Sequence, residues 1–435
     1  MSAAAIGVLG FLGMFALMAL GTPVGVAMLV AGFAGTVALS SWTAAVYTLS
    51  GQVFATASTY ELSVLPLFIL MGNVAASAVL SRDLYDAAYR WLGHWPGGLA
   101  GATVVGCAGF SALSGSSIAA AVTMGRVAYP NMRRYGYGGR LSTGAIAAGG
   151  TLGILIPPST GFVLYAILTE QSIGRLFMAG VLPGIMLTGL FLIAIAITVR
   201  RRPEEGPPGE RASLAERLRA LRRSTGIFSI IAVTIGGIYT GFFTPVEAAG
   251  CGAFLACLML VARRTASRSA LRETAADTLR TTGMVFLILI GASVFTPFIA
   301  LSGLPALVTG AFADAGLGPY AVLFILLATY AVLGMVIEGL SLLVITLPIT
   351  FPLVTALGFD PIWFGVIMVI VLEMGLISPP VGVNCFVVST IARDVKLETI
   401  FAGIMPFWLA MIVAVLILVA VPDIALLLPD TMFGR

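Results

Sequence analysis

Gly153-Ile154-Leu155-Ile156-Pro157-Pro158, and again in the second half of the chain Gly375-Leu376-Ile377-Ser378-Pro379-Pro380, place two consecutive prolines inside long apolar runs. Two prolines remove two amide donors and bar the helical conformation from the residue before them, so a helix reaching either motif must break. Carbonyls freed by the break point into the gap, and the half-helix that follows offers its amide end. One breakpoint thus has the means to hold a cation and an anion. A simple proline kink is the plainer reading of either motif alone; two copies in register argue against it.

The offset between the two motifs recurs elsewhere. Thr22-Pro23-Val24 returns as Thr244-Pro245-Val246, Tyr129-Pro130 as Phe351-Pro352, Gly136 as Gly358 and Gly153 as Gly375, every pair separated by the same interval. Matches in one register from Thr22 to Pro158 indicate duplication. The chain is 59% hydrophobic and 10% charged, with 51 glycines and 22 prolines, whereas soluble domains carry about 25% charged residues. With roughly 20 apolar residues needed per crossing, there is room for about ten spans. The expected fold class is therefore an all-α membrane protein.

The threading that fits has five spans per half and one hairpin entering and leaving on the same side. Residues 1–199 form the first repeat, with spans near 4–20, 24–40, 62–80 and 176–199, a re-entrant hairpin at 98–130 and a broken helix at 141–168. A basic linker covers 200–225. Residues 226–435 form the second repeat, with spans near 226–243, 246–262, 282–300 and 400–420, a hairpin at 318–352 and a broken helix at 362–391. An odd span count inverts the second copy, which is the inverted repeat of secondary transporters, whose sites lie at broken helices near the midplane. The first helix, from about Ala3, has no positive n-region or cleavage site and reads as a retained span.

Arginines set the orientation, because Lys and Arg are retained in short cytoplasmic loops. With both termini outside, 20 of the 23 basic residues fall inside, eight of them between Arg200 and Arg223. Only Arg175 and Arg435 fall outside, and Arg126 lies within the first hairpin. Leu214 to Leu221 reads either as an amphipathic helix on anionic headgroups or as solvated linker.

The hairpin tips, Ser111 to Ser117 and Val336 to Ser341, expose backbone that only protein, ions or water can satisfy. Small residues for tight helix packing are the alternative. Glu338 at the second tip and Glu373 before the second break sit where hydrocarbon is expected, which makes both functional candidates. Each either ligands a cation, takes up a proton or holds a broken backbone together. Glu247 reads as structural, Arg126 as snorkelling to the headgroups, His94 as interfacial, and Cys107, Cys251, Cys257 and Cys385 as buried small hydrophobes. No HExxH, GxSxG or Walker-type string appears, so no enzyme and no ATP-driven transport is expected.

Ser114-Gly115-Ser116-Ser117, Tyr129-Pro130 with Gly136-Tyr137, Gly153 to Pro158 and, above all, Glu373 to Asn384 resemble the large membrane (M) subunit of TRAP (tripartite ATP-independent periplasmic) transporters. The resemblance runs to about Pro406. It implies a sodium-coupled importer of elevator type in the bacterial inner membrane. The cargo implied is a C4-dicarboxylate, sialic acid or another sugar acid, delivered by a periplasmic binding (P) protein. A small four-helix (Q) subunit is the other expected partner, as a separate chain, and no nucleic acid is involved. Carried over, sodium falls at Ser114 and Gly115 with Gly153 and Pro157, and at Glu338 and Gly339 with Gly375 and Pro379. Substrate falls near Ser116, Ser117, Ser159, Thr160 and Asn384, and Glu373 has a charge role. Glu338 stands where family members often carry Asp. The alternative is a stand-alone dicarboxylate or citrate transporter, which dependence of uptake on an added periplasmic protein separates from the first.

The orientation is tested by labelling. A cysteine placed near Glu205 should resist an impermeant thiol reagent added to outer-membrane-permeabilised cells, and modification there overturns the topology.

Overall fold

The structure, a computed structural model, describes residues 2–77, 80–263 and 267–433. Arg264 and Arg435, two of the arginines used for orientation, lie outside the described residues. The first half runs α1 (Ala3–Ala19), α2 (Val24–Leu39), α3 (Trp42–Ser58), α4 (Val64–Ser77), α5 (Leu80–Leu92), α6 (Gly98–Ser114), α7 (Ser117–Arg134), α8 (Gly139–Leu155), α9 (Thr160–Thr169) and α10 (Ile173–Arg201). A linker helix α11 (Leu214–Arg223) follows. The second half runs α12 (Thr225–Tyr239), α13 (Pro245–Ala262), α14 (Arg268–Leu301), α15 (Leu304–Asp314), α16 (Pro319–Gly334), α17 (Gly339–Ala356), α18 (Pro361–Ile377), α19 (Val383–Ile391), α20 (Leu397–Ala420) and α21 (Asp423–Phe433). α17 begins and ends at the same offset from α7, and α18 from α8, as the sequence matches do.

Both diproline breaks form. Ile156 and Ser378, each one residue before its diproline, leave the helix in extended conformation, as the steric demand of a following proline requires. At the start of α13, Thr244 and Glu247 close a capping box, so Glu247 is engaged with backbone donors. Ser213 and Glu216 do the same for α11.

Among the described residues, seven helices or helix pairs are long and apolar enough to cross a membrane, or eight if α11 and α12 count as one bent span. That is fewer than the ten expected. α1, α2 and α18 have 17, 16 and 17 residues, which at 1.5 Å per residue gives about 24–26 Å against a core of about 30 Å. Helices α3, α5 and α15 fall in stretches between the assigned spans and hairpins, and α21 lies beyond the last assigned span. Of the stretch read as the connector from Arg263 to Arg280, residues 268–280 are helix, because α14 runs unbroken for 34 residues. In the first half the matching stretch is divided into α3 and α4 by a 3-10 turn at Tyr60–Ser63.

α8 and α18 are buried along almost their whole length and form the centre. α8 packs on α6, α7 and α20, while α2 packs along α14 and α4 along α13. The basic linker is stitched down by backbone bonds: Gly97 N donates to Gly206 O at 2.8 Å, Gly209 N to Gly93 O at 2.8 Å and Gly138 N to Glu205 O at 3.0 Å. It therefore forms a docked strap carrying α11, whose Leu214 and Leu218 stay exposed. Across the halves, Tyr129 Oη donates to Asp394 Oδ1 and Arg133 pairs with Asp394 at 2.9 Å. The bond from Tyr129, and then Arg133, hold the Asp394 carboxyl below the usual carboxylate range.

The α2–α14 seam depends on backbone contact. A Cβ on Gly291 would stand 2.2 Å from Gly25 O, while one on Gly283 of the same helix would meet nothing. Gly291→Ala should cost about 1–3 kcal/mol through overpacking, and Gly283→Ala should cost nothing or gain up to about 1 kcal/mol. Thermal unfolding in detergent checks this; equal melting shifts for the two variants reject the seam.

Candidate functional site

The first tip is built by α6 ending at Ser114, Gly115 turning the chain and Ser116 capping α7 through its hydroxyl. Gly115 has φ +59°, a conformation natural to glycine, and a Cβ there would lie 2.8 Å from Pro158 O. Its carbonyl accepts from Thr160 Oγ1 at 2.8 Å and from Thr160 N at 3.4 Å. A Cβ on Gly153 would stand 2.5 Å from Ser116 O. Ser114, Gly115, Gly153 and Pro157, expected to meet, are thus brought to one junction. Ser159 Oγ donates to Ile154 O across the break and accepts from Phe162 N at 3.2 Å, so its hydroxyl serves as staple and cap. Ser114 Oγ is buried with no hydrogen-bond partner.

The second junction is built differently. Glu338 caps α17: its carboxylate accepts from Leu340 N at 3.1 Å, Ser341 N at 2.9 Å and Ser341 Oγ at 3.0 Å. A carboxylate has about four acceptor positions, so most of its capacity goes to holding the helix start. Gly375 meets the end of α16, where a Cβ would stand 2.5 Å from the carbonyl carbon of Gly334. Gly339 rests on Leu372 and Leu376. Ser378 Oγ donates to Met374 O at 2.5 Å and Ser378 N to Gly375 O at 2.9 Å. Pro379 and Pro380 are exposed, whereas Pro157 and Pro158 are buried.

Between the junctions lie the groups whose polar atoms are unspent. Glu373 is 2% exposed and its Oε2 has no partner; the side chain meets the Ser117 hydroxyl of the first hairpin. It borders a void of about 10 Å³ with Ile154, Gly161, Gly339 and Leu372, at the lower limit for one water molecule. Asn384 is 0% exposed, and neither its Oδ1 nor its Nδ2 has a partner. It sits at the start of α19, which packs on α7 and α8 of the first half. A cleft of about 450 Å³ opens beside Pro157 and Ile156, walled across by Ile231 and Ile235 of α12.

Among the described residues no group of three or more His, Cys, Asp or Glu is placed to hold a metal. A cation here would have to rely on hydroxyl and carbonyl oxygens with one carboxylate, the all-oxygen kind of donor set that hard cations take. The buried, unpartnered Ser114 Oγ fits that use, and Glu338 keeps about one acceptor position free. Gly115 O, with two donors already on it, contributes geometry instead. Arg126 is exposed, and Cys107 and Cys385 are buried while Cys251 and Cys257 are half-buried. Sequence reasoning missed Asp394, whose partners Tyr129 and Arg133 lie in the opposite half of the chain; no local signal marks such a pairing.

A family model described as "Tripartite ATP-independent periplasmic transporter, DctM component" matches residues 11–424. The C4-dicarboxylate TRAP transporter large permease protein DctM of Pseudomonas aeruginosa is 36% identical over 386 residues, covering 88% of this chain and 90% of its own. The ectoine/5-hydroxyectoine TRAP transporter large permease protein UehC of Ruegeria pomeroyi is 30% identical over 426 residues, covering 98% and 99%. Among solved structures, the Alcanivorax borkumensis YdaH transporter shares the fold, with a TM-score of 0.64 at 16% identity over 86% of this chain and 87% of that one.

An unpaired buried amide costs about 1–3 kcal/mol. Asn384→Leu should therefore raise the melting temperature of the ligand-free protein, read by thermal unfolding in detergent; a lowered melting temperature means the amide has a partner and the site is misassigned.

Proposed function

Since the chain belongs to the DctM component family of tripartite ATP-independent periplasmic transporters, whose relatives are named as large permease proteins and not as enzymes, we propose that it couples sodium entry to import of an organic acid. The observation that carries this reading is Asn384: a side chain able to donate and accept, fully buried and unpaired, on the second broken helix where α19 packs on α7 and α8 of the first half. A site for a polar ligand holds such groups unpaired until the ligand arrives. Ser117 and Asn384 contact substrate in this reading, while Ser116, Ser159 and Thr160 shape the walls, because their hydroxyls already cap or staple the junction.

Sodium binds at the two tip-and-break junctions. Ser114 with Gly153 and Pro157 frames the first; Glu338 and Gly339 with Gly375 and Pro379 frame the second, where Glu338 adds formal negative charge. The two halves form an inverted repeat, moved as an elevator, with the hairpins re-entrant, both termini periplasmic and Arg200 to Ser224 cytoplasmic. A periplasmic binding protein delivers the substrate and a small four-helix subunit completes the membrane complex. The relatives are named for a C4-dicarboxylate and for ectoine, both compact and carboxylate-bearing, which supports a small carboxylate as cargo.

The experiment is reconstituted uptake against external sodium with the binding protein and small subunit supplied. Glu338→Gln keeps one cap acceptor and removes the charge, and it should weaken sodium dependence by about 1 to 3 kcal/mol, the scale of a lost charge-assisted contact. Full uptake without sodium, or an unchanged sodium response in that variant at normal protein level, rejects the assignment.

A further inference from the structure

A groove of about 560 Å³ runs between α10 and α20, away from both junctions, within the range of about 300–1,000 Å³ typical of small-molecule sites. Its floor is made by Ala194 and Ala410, 7% and 8% exposed, and the small side chains leave the depth. Its walls are apolar and open: Ile193, Ile197, Leu409 and Val413 are 56%, 49%, 54% and 43% exposed. From Leu190 to Arg201 the α10 wall is roughly 16 Å long at 1.5 Å per residue, the depth of one leaflet of a core about 30 Å thick.

One end of the groove is cationic. Pro406 has no N–H, so Ala402 O lacks its helical donor; Arg140 replaces it, donating from Nε at 3.1 Å and from Nη2 at 3.0 Å. That bond fixes a guanidinium with three of its five N–H donors unspent. Arg201 and Arg202 line the same end. Among the described residues, none of the three arginines forms an ion pair. Glu205, the one carboxylate there, is turned to Leu141 N at 3.2 Å.

We propose that this groove binds one anionic diacyl phospholipid from the leaflet at the arginine-rich end, its phosphodiester on Arg201, Arg202 and Arg140 and its acyl chains along the α10 and α20 walls. Basic pockets between membrane helices take anionic headgroups in this way, and guanidinium matches phosphate oxygens with paired donors. A soluble anion satisfies the arginines but leaves the apolar walls without purpose. A zwitterionic lipid satisfies the walls but brings an ammonium toward three cations.

The test is native mass spectrometry of the full chain purified in detergent and offered phosphatidylglycerol and phosphatidylethanolamine of distinct mass. The wild type should retain one phosphatidylglycerol in preference by at least about tenfold. Arg201→Ala with Arg202→Ala should bring the preference near parity, Ala410→Phe should reduce retention by filling the floor, and Arg200→Ala, outside the groove, should leave it unchanged. Four results overturn the proposal: equal retention of both lipids by the wild type, an unaltered preference in the double variant, an equal loss in Arg200→Ala, or displacement of the lipid by millimolar inorganic phosphate.

Discussion

A broken helix inside an apolar interior leaves backbone groups that water is not there to satisfy, and the rest of this structure is arranged around meeting that demand. At Pro157-Pro158 the demand is met by the neighbouring hairpin. Gly115 O takes both donors of Thr160, Ser159 bridges back to Ile154 O, and Gly153 admits the backbone of Ser116 to contact. Each bond nets only about 0.5–1.5 kcal/mol, but leaving a buried group unpaired costs about 1–3 kcal/mol. Tip and break are therefore one unit. The pairing follows from backbone chemistry, and it explains why glycine and hydroxyl residues crowd both segments.

The two halves meet the same demand by different means. The first break is closed by its hairpin and buried; the second is exposed at Pro379 and Pro380, and its hairpin is held by Glu338, which caps α17 with three accepted bonds. Once these staples are counted, few polar atoms remain unspent. Around the two breaks, among the described residues, the buried polar side-chain atoms without a partner are Ser114 Oγ, Glu373 Oε2 and both ends of Asn384. Their burial opposes stability, which is what makes them candidates for ligand recognition. Glu373 joins the halves, touching Ser117 from α7 while it borders Gly161 of α9 and Gly339 of α17.

Much of the element order was legible because membrane helices announce themselves by length and apolarity, and prolines fix where they stop. The helices that escaped, α3, α5, α15 and α21, are short or carry Thr, Ser, Gln and charges through their apolar positions, so no continuous hydrophobic run reveals them. α14 escaped in part for a related reason. Its first turns carry Arg268, Arg272, Glu273, Asp277 and Arg280, which read as a connector but continue the helix in a layer where charge is tolerated. The linker was read as tether or surface helix, and the docking of its glycines on Gly93 and Gly97 has no signature in composition.

By itself the sequence determined the class of solvent, the two breaks and the residues that crowd them, since each follows from the local physics of proline, glycine and apolar runs. Only the tertiary structure decided which of those residues keep a free polar atom. Ser159 and Thr160 look like ligands in sequence and have their hydroxyls engaged with backbone groups a few residues or a whole hairpin away, Glu338 keeps about one of its acceptor positions, and Asn384, one residue in an apolar string, proves to be unpaired. The physical reason is that hydrogen-bond satisfaction is a property of three-dimensional neighbours. A side chain's chemistry is written in the chain, but whether it is already in use depends on what the fold brings beside it.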